Sequence, residues 1–135
     1  MKRLLGIFLI VFCLFQSQTF GQITASKNII TDAVFPGGPN EMTKFIQENI
    51  TIPEDFKGTG IVSVRFEISP EGDVINPFVR RGIPECPQCN EEAIAVLNKM
   101  PKWKPAFSTV ENKPVSSIFV LPIKFEEKKE IEIRN

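Results

Sequence analysis

The sequence predicts a two-layer α+β domain, a small antiparallel sheet of three or four strands with two helices on one face. Three observations carry this. Residues 58–82 read as a β-hairpin, two stretches space their apolar residues with helical periodicity, and residues 115–125 alternate as a further strand. The order helix, hairpin, helix, strand puts the helices where they can cover one face of the sheet. At 135 residues the chain is one domain in size, with 42% hydrophobic and 24% charged residues, the composition of an ordinary globular domain.

The N-terminus comes before this domain. Lys2 and Arg3 precede a 12-residue apolar run, residues 4–15. Small residues follow at Thr19 and Gly21. This is the layout of a secretory signal peptide, residues 1–21, with cleavage expected after Gly21. The run is short for a spanning helix, which needs about 20 apolar residues; the competing reading is an uncleaved inner-membrane anchor. Export places the mature chain in a compartment that permits disulfides. Residues 22–34 read as an extended lead-in.

The domain is expected over residues 35–125. The turn cluster Phe35-Pro36-Gly37-Gly38-Pro39-Asn40 introduces the first helix, since Pro is tolerated in a first turn. Met42, Phe45, Ile46 and Ile50 form its apolar face, and Pro53 is expected to stop it. In the hairpin, Val62, Val64, Phe66 and Ile68 alternate with Ser63, Arg65 and Glu67. Ser69-Pro70-Glu71-Gly72-Asp73 makes the turn. Pro77 lies inside the second strand, which is therefore expected to be an edge or to be bulged there. The second helix is predicted from Asn90 as N-cap to about Met100, with Glu91 and Glu92 in its first turn, Lys99 in its last, and a stripe of Ala93, Ile94, Leu97 and Met100. In residues 115–125, Val115, Ser117, Phe119, Leu121, Ile123 and Phe125 alternate with Ser116, Ile118, Val120, Pro122 and Lys124. Apolar on much of both faces, this strand is expected to be the central or most covered one. Residues 126–135 read as a charged tail or, through Ile131 and Ile133, as a frayed fourth strand.

Several function classes lose their chemistry at this stage. There are 16 basic and 16 acidic residues, hence no basic footprint for nucleic acid. The chain has no His, which removes Ser-His and Cys-His dyads and the commonest zinc ligand. Glu54, Asp55, Glu71 and Asp73 fall in or beside turns, with nothing to pair them across a cleft. No catalytic residue, metal site or cofactor is read from the sequence. Cys86-Pro87-Gln88-Cys89 is a C-x-x-C. It reads as a structural disulfide clipping the loop before the second helix. A redox-active pair is the alternative, disfavoured by a helix that begins after the second Cys. Two thiolates make half a metal site. Trp103, held in a Pro-Lys-Trp-Lys-Pro segment, reads as a cover for one end of the core ahead of an aromatic anchor for a partner.

In order, Pro36-Gly37-Gly38, Phe45-Ile46 to Ile52-Pro53, residues 60–68, Glu71-Gly72-Asp73-Val74, Val79-Arg80-Arg81-Gly82, residues 92–105, and Lys113-Pro114-Val115 with Leu121 to Phe125 together resemble the C-terminal domain of TonB-type energy transducers. The resemblance implies a periplasmic, non-enzymatic module that grips a short peptide, the TonB box, of an outer-membrane transporter by adding it as a strand to its sheet. Carried onto this chain, the partner-binding residues are Val115, Ser116, Ser117, Ile118, Phe119, Val120 and Leu121, with Ile52 and Pro53 nearby. Position 52 is Ile where the family often has Tyr. The apolar run here looks cleavable, and no long Pro-rich spacer separates it from the domain, so the resemblance implies the fold and a binding role rather than force transduction. The alternatives are a small periplasmic thiol–disulfide oxidoreductase using Cys86 and Cys89, or a dimeric scaffold in which the free edge pairs with a second copy.

Overall fold

The computed structural model describes residues 29–128. The expectations for residues 1–21, most of the lead-in, and Ile131 and Ile133 lie outside the described residues. In chain order the elements are β1 (Ile30–Thr31), α1 (Pro39–Asn49), β2 (Thr59–Ile68), β3 (Val74–Arg81), α2 (Pro87–Asn98), β4 (Ala106–Ser108), β5 (Lys113–Val115) and β6 (Ser117–Glu126). They build two helices and two three-stranded antiparallel sheets, a small α+β fold.

The larger sheet has the order β3-β2-β6. Val62, Val64, Phe66 and Ile68 of β2 are each at most 1% exposed, so the period-2 face read from the sequence is the inner face. The register aligns Val62 with Ile123, Val64 with Leu121 and Phe66 with Phe119, and Val64 with Val79 on the other side. Ala93, Val96 and Leu97 of α2 complete this core. Full burial of each such Val, Leu or Phe side chain is worth roughly 1.5–3 kcal/mol. Met42, Phe45 and Ile46 of α1 are half-buried against the same core.

The hairpin turn closes through Gly72 N–H donating to the Ser69 carbonyl (2.9 Å) and Ser69 N–H to the Asp73 carbonyl (2.9 Å). Gly72 has φ +91°, in the left-handed region that favours glycine. Its carbonyl accepts from Trp103 N–H at 2.8 Å, which ties the turn to the segment before β4. β3 is both an edge and bulged. The register shifts between its pairs Glu67↔Ile75 and Arg65↔Phe78, and Asn76, beside Pro77, has φ 51°.

Four expectations change. First, β2 and not the last strand is central. β6 is an edge, because among the described residues it pairs with β2 alone, and the apolar side chains of its outer face are open, with Ile118 58% and Val120 45% exposed. Second, the predicted strand of residues 115–125 is two strands. β5 ends at Val115, Ser116 intervenes, and β6 continues in the other sheet. Third, there is a second sheet, β1-β4-β5, with Ile30 opposite Ser108 and Ala106 opposite Val115. Strands of two and three residues are too short to show alternation, and they form because tertiary pairing supplies their hydrogen bonds. Fourth, helix bounds move. α1 ends at Asn49, before Pro53, and α2 begins at Pro87, so Glu91 and Glu92 lie past its first turn and Lys99 is its C-cap. Asn90 is not an N-cap. Its Oδ1 accepts from Ile83 N–H at 2.9 Å, which fastens the incoming loop to the helix.

Candidate functional site

The edge of β6, unpaired among the described residues, is the most distinctive surface of the fold. Which backbone groups it offers follows from the register. β2 and β6 pair without shift from Thr59↔Glu126 to Ile68↔Ser117. One step beyond, Glu127 N–H donates to the Gly58 carbonyl at 2.9 Å. Groups alternate along an antiparallel ladder. Odd-numbered residues of β6 therefore turn N–H and C=O toward β2, and even-numbered residues turn theirs outward. Pro122 is even-numbered, so its missing donor costs the sheet no internal bond. Ile118 and Val120 thus present both a donor and an acceptor to the free edge, whereas Pro122 presents an acceptor alone. A ladder extended onto this edge runs along Ile118 and Val120 and weakens at Pro122.

Beside this edge lies a groove of about 250 Å³. Ala33 and Phe35 from the segment after β1, Met42 of α1, Trp103, and Phe119 and Leu121 of β6 line it, and none of its lining side chains is ionisable. Phe119 and Leu121 are half-buried inner-face residues, so a strand added to β6 would turn every second side chain toward this groove. Its floor is rigid. The Trp103 ring packs edge-on against Phe35 (5.6 Å) and Phe66 (5.8 Å), and Phe66 stacks on Phe119 (5.7 Å). Trp103 is 5% exposed, as a core cover should be, yet it also lines the groove. Its Nε1 is buried with no hydrogen-bond partner.

The sequence-derived candidates separate in the structure. Ile118, Phe119, Val120 and Leu121 come together at the edge and groove. Ser117 begins β6, but its N–H is turned toward β2 and its Oγ is buried without a partner. Val115 belongs to the other sheet, opposite Ala106, and Ser116 is the exposed link. Ile52 packs against the core, and Pro53 lines a different groove beside Cys86, so neither joins the groove at β6. The sequence reading missed Ala33, Phe35 and Met42 as site residues. Their signal was the apolar Ala33-Val34-Phe35 run before the turn cluster.

Cys86 and Cys89 are joined by a disulfide, with 5.3 Å between their Cα atoms. Cys86 is the N-cap of α2, correcting the expectation that the helix begins after the pair. The ionisable groups lie away from the β6 groove. At the turn between β4 and β5, the hydrogen bond and charge of Glu111 hold the Lys113 ammonium above its ordinary range. Among the described residues there is no cluster of His, Cys, Asp and Glu able to hold a metal ion, and no helix long and apolar enough to cross a membrane.

A family model described as the Gram-negative bacterial TonB protein C-terminal matches residues 54–126, more than half of the chain and everything from the hairpin through β6. No curated protein and no solved structure matches the chain.

Proposed function

The chain belongs to the Gram-negative bacterial TonB protein C-terminal family, and we propose that it is a periplasmic module whose β6 edge binds, without catalysis there, an extended segment of an envelope protein as an added strand. The partner class is the N-terminal segment of a TonB-dependent outer-membrane transporter. The observation that carries this reading is the edge at Ile118 and Val120, unpaired among the described residues, beside an uncharged apolar groove. Main-chain bonds to the edge supply affinity, and an apolar side chain seated between Phe35, Met42 and Leu121 supplies selectivity.

The test is a matched pair of proline substitutions. Val120→Pro removes a donor that faces outward. It should leave the fold intact and weaken binding of a transporter-derived peptide by roughly fivefold or more, the worth of one main-chain hydrogen bond. Leu121→Pro removes a donor that faces β2 and should destabilise the fold itself. Titration of the isotopically labelled protein by NMR reads both. Unchanged affinity in a folded Val120→Pro variant would sink the proposal. The same edge also fits a second copy of the chain, and light scattering after size exclusion distinguishes a dimer from a peptide-binding monomer.

A further inference from the structure

We infer that Cys86 and Cys89 form a thiol–disulfide exchange site, with Cys86 as the attacking and attacked sulfur and Cys89 as the resolving one. This inference is independent of peptide binding at β6, since the two grooves share no residue.

Three observations combine. The first is polarity. Cys86 caps a 12-residue helix, and the backbone N–H of Cys89 donates to Cys86 Sγ at 3.2 Å. In the reduced protein that N–H and the positive end of the helix favour the Cys86 thiolate over the thiol. The second is asymmetry. Cys86 keeps 6% of its surface, whereas Cys89 is fully buried among Ala93, Val96 and Leu97. Burial in an apolar setting favours the neutral thiol at Cys89. The third is access. A groove of about 400 Å³ is lined by Cys86 together with Pro53, Phe56, Glu85 and Pro87. Cys89 does not line it. Of the pair, Cys86 is thus the residue that borders a groove, and Cys89 lies behind it.

Asp55 and Glu85 also line this groove. Their carboxylates work against the Cys86 thiolate and against an acidic visitor, so the fitting substrate is a neutral or basic segment carrying two thiols. Its first thiolate attacks Cys86 Sγ, the Cys86–Cys89 bond breaks, and Cys89 leaves with the electron pair and takes up a proton. Its second thiolate then attacks the substrate sulfur of the mixed disulfide. A substrate disulfide forms, and Cys86 is released as the stabilised thiolate. Two electrons pass from the dithiol to the chain. Because the helix end stabilises the reduced form, the oxidised chain acts as an oxidant of dithiols.

The oxidised protein is equilibrated with graded mixtures of reduced and oxidised glutathione, and the free thiols are counted by alkylation and mass. A reduction midpoint inside the glutathione range is expected. The reduced protein should show thiolate absorbance at a pH below the ordinary thiol range, and Cys86 should be alkylated ~tenfold faster than Cys89 at neutral pH. Cys89→Ala should accumulate a mixed disulfide with glutathione through Cys86, and Cys86→Ala should not. A bond that stays intact across the whole glutathione range, or two thiols of equal reactivity, would make the pair a structural clip and overturn the inference. Both readouts use the unsubstituted protein, so they decide the question even where a cysteine variant fails to fold.

Discussion

Gly72 and Gly58 differ in one respect that a pair of alanine substitutions can measure. Both occupy the left-handed region, at φ +91° and +88°. Placing an L side chain there costs about 1–2 kcal/mol at either position. At Gly58 an added Cβ meets nothing within 4 Å. At Gly72 it would drive into the Trp103 carbonyl oxygen. Relieving that contact pulls the turn away from the Trp103 backbone and stretches the 2.8 Å bond from Trp103 N–H to the Gly72 carbonyl, a further loss of about 1 kcal/mol. Gly58→Ala should therefore cost about 1–2 kcal/mol and Gly72→Ala about 2–3 kcal/mol. Urea unfolding followed by the fluorescence of Trp103, the chain's one tryptophan, reads both. Because Trp103 lines the groove, Gly72→Ala should also weaken peptide binding while Gly58→Ala leaves it unchanged. Equal costs at the two positions would refute the claim that the hairpin turn is locked to the Trp103 segment.

Other expectations follow from the same packing. Leu97→Ala empties a fully buried site on α2 and should lower stability by roughly 2–5 kcal/mol in the same unfolding assay. Ser117→Ala removes a buried hydroxyl that has no partner, so stability should hold or rise by up to about 1 kcal/mol; a clear loss would mean that the hydroxyl is bonded after all. Peptide affinity should be flat between about pH 6 and 8, since no ionisable side chain lines the groove at β6 and the chain has no His. A calorimetric titration across that range would show a slope if a charged group contributes.

The local patterns were legible in the sequence. The alternation through Val62, Val64, Phe66 and Ile68 is the buried face of β2, and the turn formers at residues 69–73 make the turn. Met42, Phe45 and Ile46 are the packed stripe of α1. Pro77 sits at the bulge of an edge strand, where a residue without a donor is tolerated. The reading failed where two signals competed. Asn90 is a good N-cap by residue type, but Pro87 is equally good in a first turn, and the sulfur of Cys86 caps the helix instead. The candidate site was half legible. The edge residues Ile118 to Leu121 stood in the predicted strand, but the apolar lining from Ala33, Phe35 and Met42 comes from chain more than 70 residues away, and the short Ala33-Val34-Phe35 run that marks it does not say what it packs beside.

The sequence by itself determined the class of each main element, because a hairpin, its turn and two amphipathic helices are specified by neighbours two to four residues apart. Only the tertiary structure decided which strand is central, which edge is left open, and that residues 113–126 change sheets at Ser116. These depend on pairings between distant strands, and an apolar strand carries the same alternation whether or not a neighbour covers it. The residues 115–125 illustrate the difference. Their apolar pattern on both faces resembles that of a buried central strand, yet Ile118 and Val120 are exposed, because the helices pack on the opposite face of the sheet and none of the described residues covers the outer face.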